Sequence, residues 1–186
     1  MVARVLAGDR GAFRDLVHAH QRLVSHVVFR LIRDPRDREE VCQDVFVRVY
    51  QKLDQFAFES ALGTWIARIA YRLSLNHLER RRIPLYDDLR TDETGGTSVD
   101  QLPGALASPL DEAEAAQLRA FVRARVDELP VQYRTVVTLY HLEEMAVGEI
   151  AAVMDVPEGT VKSHLFRARK LLKEKLMASY GPEVQE

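Results

Sequence analysis

Cysteine occurs once in the 186 residues, at Cys42. An internal disulfide framework is therefore excluded, and the usage fits a reducing cytosol. On its own, Cys42 reads as a small buried hydrophobe. No stretch approaches the ~18 consecutive apolar residues of a membrane span, so no membrane insertion is expected. The opening, MVARVLAGDRGAF, has too short an apolar run and is charged too early for a secretory signal. Several chemical signatures are also missing. There is no GxxxxGK(S/T) phosphate loop, no HExxH zinc pair, no GxSxG nucleophile elbow and no paired-cysteine motif. His164 has no Cys or His at metal-ligand spacing. No catalytic residue, metal or cofactor is expected, and the chain is not read as an enzyme.

What is present is ordinary in total and uneven in distribution. Apolar residues make up 47% and charged residues 29%, and the formal net charge is −2. Residues 1–82 carry 15 Lys and Arg against 10 Asp and Glu. Residues 83–109 carry Arg90 alone against Asp87, Asp88, Asp92, Glu93 and Asp100. Residues 110–186 carry 10 basic and 13 acidic side chains. The middle block, IPLYDDLRTDETGGTSVDQLPGALASP, has three Gly, three Pro and no helical period. It reads as an acidic flexible linker over residues 84–109, between domains at 1–83 and 110–179.

Both flanking blocks are patterned as helix. Phe13, Leu16, Val17, Leu23, Val24, Val27, Val28 and Leu31 recur at helical intervals until Asp34-Pro35 breaks the pattern. Val41, Val45, Val49 and Leu53 then recur every four residues, predicting a helix over 36–53. After the turn-like DQFAFESALG, helix resumes from about Thr64 to Arg82. Pro109 starts a helix running to Pro130, two more lie between Val131 and Val153, and a last runs from about Glu158 to Ala178. No strand alternation is visible. The fold class is all-α: two small helical domains joined by a linker.

The last helix is the most informative. Ile150, Ala151 and Met154 make a short apolar face, and DVPEGT then turns the chain into EGTVKSHLFRARKLLKEKL. Val161, Leu165, Ala168 and Leu172 share an inward face. Lys162, Ser163, Phe166, Arg167, Arg169, Lys170 and Lys173 are left outside. A helix, a tight turn and a basic second helix suit the major groove, whose ~12 Å width admits a helix. Its cations reach guanine acceptors or phosphates. A solvated amphipathic helix with cations near its C-terminal end is the blander alternative.

Two stretches carry the N-terminal half. With the valines inward, the 36–53 helix shows Glu40, Gln43, Asp44, Val47 and Tyr50 on its far side. Polar, acidic and aromatic groups on one face suit a protein interface, though a solvated surface has the same look. Next, Phe56, Phe58 and Trp65 surround a loop ahead of a helix bearing Arg68, Arg72, Asn76, His77, Arg80, Arg81 and Arg82. Single-stranded nucleic acid needs rings for its bases and cations for its phosphates. Ile66, Ile69 and Leu73 read as the inner face of that helix; Trp65 fits either side.

REEVCQDVFVRVYQKLDQF and FESALGTWIARIAYRLSLNHLERRR resemble region 2 of the extracytoplasmic-function branch of the sigma-70 family. ELPVQYRTVVTLYHLEEMAVGEIAAVMDVPEGTVKSHLFRARKLL resembles its region 4. The resemblance covers roughly residues 6–82 and 110–176. It implies an alternative initiation subunit that binds core RNA polymerase and selects promoters. Glu40, Gln43, Asp44, Val47 and Tyr50 would meet the polymerase clamp. Phe56, Phe58, Trp65, Arg68, Arg72, Asn76, Arg80 and Arg81 would capture and separate the −10 element. Thr160, Lys162, Ser163, Phe166, Arg167, Arg169 and Lys170 would read the −35 element as duplex. The linker would pass through the polymerase. An anti-sigma partner and a cytoplasmic location are further implications. The chain departs from the family where Ala57 and Phe58 replace a usual cation and glycine, and at Arg72 and Asn76, which replace Asn and Asp. Two other classes are open to the residues themselves: a helix–turn–helix regulator with a helical signalling domain, and a helical adaptor with no nucleic-acid role.

Overall fold

A computed structural model describes residues 1–82 and 109–179, and every regular element among them is helical. The expected linker at 84–109 lies outside the described residues, except that a helix begins at Pro109. A short helix, α1 (Val2–Leu6), precedes α2 (Arg10–Leu31). The pattern reading missed α1 because five residues are too few to show a period. Val2 and Val5 are nevertheless buried. Gly8, at φ 88, turns the chain between the two helices, where a side chain would be strained. Asp9 then caps α2, its carboxylate accepting from the Ala12 N–H at 3.0 Å.

Helix α3 (Pro35–Lys52) begins with proline at a position where no N–H is needed. Asp34 caps it, accepting from the Arg36 N–H at 2.8 Å. Val41, Val45, Val49 and Leu53 are buried as their spacing predicts. A single 3₁₀ turn (Leu53–Gln55) leads to the loop before α4 (Leu62–Arg82), which starts two residues earlier than expected. Helices α2, α3 and α4 pack on one another as a bundle. His77 on α4 bonds Asp37 on α3 through Nε2 at 3.1 Å.

The second unit comprises α5 (Pro109–Asp127), α6 (Val131–His141), α7 (Val147–Met154) and α8 (Glu158–Ser179). Helix α8 packs against α5, α6 and α7. Val161, Leu165 and Ala168 are buried and Leu172 is half-buried, the face expected from the sequence. Buried Arg134 donates through Nη1 to the Asp127 carbonyl at 2.8 Å, tying α6 to the end of α5.

The two units are packed together. Helix α4 lies against α7, and α2 against α6. Val24, Ile66 and Ala70 of the first unit and Leu139, Ile150 and Val153 of the second belong to one continuous apolar core, all with no measurable exposure. Removing that much apolar surface from water supplies the main drive for the union.

Candidate nucleic-acid and polymerase interface

The far side of α3 is built as its spacing predicts. Glu40, Gln43, Asp44, Val47 and Tyr50 are all exposed, Val47 by 53% and Tyr50 by 57%. The Tyr50 ring meets Phe13 of α2 edge-on, 5.0 Å between centroids, which fixes its position without covering it. The result is an exposed valine and a propped tyrosine among carboxylates. A protein interface with an aromatic anchor and a polar surround has this composition.

Two rings of the loop between the 3₁₀ turn and α4, Phe56 and Phe58, cluster with Trp65 in the first turn of α4. Phe56 is buried, with centroids 5.4 Å from Trp65 and 4.7 Å from Phe58. Phe58 is 71% exposed and stands at φ 60, a conformation that side chains other than glycine seldom adopt. The three rings that the sequence places around this loop therefore differ in exposure. Phe56 is a platform, Trp65 is half-buried beside it, and Phe58 offers a free face. Trp65 packs against the core with Ile69 and Leu73, and part of its ring stays exposed.

Along α4, Arg68, Arg72, Asn76 and Arg80 follow at steps of four, so they form one slowly winding stripe. Asn76 and Arg80 are exposed; the side chain of Arg81 lies outside the described residues. Arg68 and Arg72 are engaged. Arg72 Nη2 donates to Asp155 Oδ2 at 2.9 Å, and Arg68 Nη2 lies 3.5 Å from Asp155 Oδ1. One turn earlier on the same stripe, Thr64 Oγ1 donates to Glu149 Oε1 at 2.8 Å. Glu149 also accepts from its own helix, at the Ala146 N–H. From α2, His26 bonds Glu143 and Arg30 donates to Asp127 at 2.7 Å. Sequence reading missed Thr64, Glu143, Glu149 and Asp155. Their partners lie far along the chain, and no local pattern announces such pairs.

The basic side of α8 stands open. Lys162, Ser163, Phe166, Arg167, Arg169 and Lys170 are exposed, Phe166 by 70%. Thr160 is half-buried at the helix start, its N–H bonded to the Pro157 carbonyl at 2.9 Å. The Arg169 guanidinium sits 5.7 Å above the Tyr140 ring, a cation–π contact that steadies it. His164 is half-buried, with its ring edge-on to Tyr133. Burial, followed by the neighbouring Arg167 charge, holds its pKa below the usual imidazole value. Both effects favour the neutral ring, and the positive charge of this face comes from Lys and Arg.

These exposed faces can be set beside known proteins. Residues 16–83 match the family model for sigma-70 region 2, and residues 122–172 match that for sigma-70 region 4. The ECF RNA polymerase sigma-E factor of Escherichia coli (strain K12) is 35% identical over 182 residues, covering 95% of this chain and 92% of the relative. The RNA polymerase sigma-H factor of Pseudomonas aeruginosa is 33% identical over 177 residues, covering 95% and 92%. ECF sigma factor SigW of Bacillus subtilis is 28% identical, covering 94% of each chain. The chain belongs to the sigma-70 family, in its extracytoplasmic-function branch. Solved structures share the fold. CnrH, in complex with the cytosolic domain of CnrY, superposes with a TM-score of 0.66 at 24% identity, covering 95% of each chain. RpoE of Bartonella quintana, in complex with the anti-sigma factor NepR, gives 0.69 at 18% identity, covering 89% of this chain and 97% of that one.

Proposed function

We propose that this protein is an alternative sigma factor, which joins core RNA polymerase and directs it to a defined set of promoters. The observation that carries this reading is the order of two family regions, each with its own exposed working face. The α3 surface around Val47 and Tyr50 docks on the polymerase, flanked by Glu40, Gln43 and Asp44. The ring cluster ending in Phe58 takes an unstacked base of the −10 element, and the α4 stripe holds its backbone. Unstacking costs a few kcal/mol, and capture of the flipped base offsets it. The basic side of α8 reads the −35 element as duplex.

The proposed domains are 1–83 and 110–179, with 84–109 spanning the polymerase between them. Engaging both at once makes two modest affinities act together through effective concentration. Bond formation is left to the polymerase, and the chain supplies no catalysis of its own. No helix among the described residues is long and apolar enough to cross a membrane, and the proposed place of work is the cytoplasm, with the polymerase. An anti-sigma factor is the proposed regulator, as in the NepR complex of the structural relative.

The test of the docking surface is co-purification with core polymerase. Val47→Asp places a charge at the centre of the α3 face without touching the core. It is expected to abolish association while leaving the melting temperature within a few degrees of wild type. Association at the wild-type level would refute the assignment.

A further inference from the structure

We infer that Arg68 and Arg72 form a backbone-phosphate clasp for single-stranded DNA, and that Asp155 occupies this clasp as an internal decoy in the free chain. The inference rests on the strand-capture reading of α4. It goes further in naming the ligand atom, the two residues that hold it and the group that competes for them.

The geometry is that of a shared anion. The two guanidinium groups come from successive turns of one helix face and converge on the two oxygens of a single carboxylate, at 2.9 and 3.5 Å. Two cationic forks meeting one pair of oxygens is how guanidinium holds a phosphate diester as well as a carboxylate. Asp155 is presented for this purpose by backbone shape. It is the residue after α7, in the left-handed conformation (φ 60, ψ 47), which aspartate tolerates better than most side chains. It also lies in the turn that launches α8, so the group filling the clasp belongs to the duplex-reading unit.

The contact is a releasable one. The Asp155 side chain is 68% exposed and those of Arg68 and Arg72 are 41% and 54% exposed. Such pairs are screened by salt and individually weak. The Thr64–Glu149 bond and the apolar contact of α4 with α7 set the register that brings Asp155 over the clasp. A DNA strand that enters the clasp must displace Asp155, and the exposure of all three side chains lets it do so without parting the core. Asp155 therefore lowers the affinity of the free chain for single strands, and removing its charge raises it.

The test uses the full chain without polymerase. Asp155→Asn keeps a residue that accepts the left-handed conformation and removes the decoy's charge. Two readouts are taken: phenylglyoxal labelling of Arg68 and Arg72, followed by mass spectrometry, and polarisation of a fluorescent single-stranded oligonucleotide of mixed sequence. The expected result is labelling of both arginines faster by roughly three- to tenfold, with oligonucleotide affinity raised by a similar factor. Glu144→Gln removes one exposed carboxylate of the same unit outside the clasp and is expected to change neither readout. Arg72→Ala combined with Asp155→Asn is expected to lose the gain in affinity. Unchanged labelling overturns the proposal, and so does faster labelling without a gain in binding. A gain shared by Glu144→Gln, or one that survives Arg72→Ala, also overturns it. None of these measurements involves polymerase, so failure of the sigma-factor reading would show separately, as absent promoter-directed transcription.

Discussion

Replacing Phe58 with glycine separates the ring's service to DNA from its service to the fold. The left-handed conformation at φ 60 costs a side chain with a Cβ roughly 1–2 kcal/mol, which glycine does not incur. Glycine in turn gives the unfolded chain more freedom, worth about 0.4–1 kcal/mol. The lost ring pairing with Phe56 removes about 0.5–1.5 kcal/mol more. Because Phe58 is 71% exposed, little buried area is lost. These contributions nearly cancel, so Phe58→Gly should unfold within about 1 kcal/mol of wild type. Promoter opening should fare differently. A stacked base contributes about 1–3 kcal/mol, or roughly 5- to 150-fold in the opening equilibrium. The assay is fluorescence of 2-aminopurine in the −10 element with reconstituted holoenzyme, beside a urea melt of the free protein. Phe58→Leu keeps the strained Cβ and loses the ring, so it should open DNA as poorly and be less stable than the glycine variant. Opening at the wild-type level, or a loss of stability above about 3 kcal/mol for Phe58→Gly, would refute the reasoning.

Other perturbations test separate parts. Arg167→Ala should lower promoter use by about 1–3 kcal/mol if the contact is bidentate to guanine, with no change in melting temperature; unaltered transcription from a promoter with an intact −35 element would exclude that role. Ser74 is fully buried, and among the described residues its hydroxyl has no hydrogen-bond partner. Ser74→Ala should stabilise the fold by about 1 kcal/mol in a urea melt, and destabilisation would contradict that accounting. The Cys42 thiol is pushed up to about 11 by burial, against which the Ser25 hydrogen bond works only partly. At pH 8 its thiolate fraction is roughly a hundredfold below that of an ordinary thiol, so a disulfide reagent should label the native chain slowly and the unfolded chain at the normal rate. Fast labelling of the folded protein would show that Cys42 is not shielded.

Local physics made most of the helices legible. Val41, Val45, Val49 and Leu53 recur at one helical interval, and all four are buried. Pro35, Pro130 and the DVPEGT turn mark boundaries through backbone chemistry that does not depend on the rest of the fold. The same logic separated Val161, Leu165 and Ala168 from the basic side of α8. It stopped where an outcome depended on distant residues. Phe56 and Phe58 look alike in sequence, and only the path of the loop buries one and exposes the other. Arg68 and Arg72 showed that anions would be welcome on α4. Nothing near them could show that Asp155, more than 80 positions away, already sits there.

The central claim is that this chain turns core RNA polymerase into a promoter-selective enzyme. The direct measurement is run-off transcription by core polymerase on genomic fragments, with the protein present and absent and the transcript starts sequenced. The account predicts starts that appear only with the protein, share −10 and −35 sequences, and vanish with Val47→Asp. Identical starts without the protein, or tight binding to promoter duplex with no need of polymerase, would contradict it.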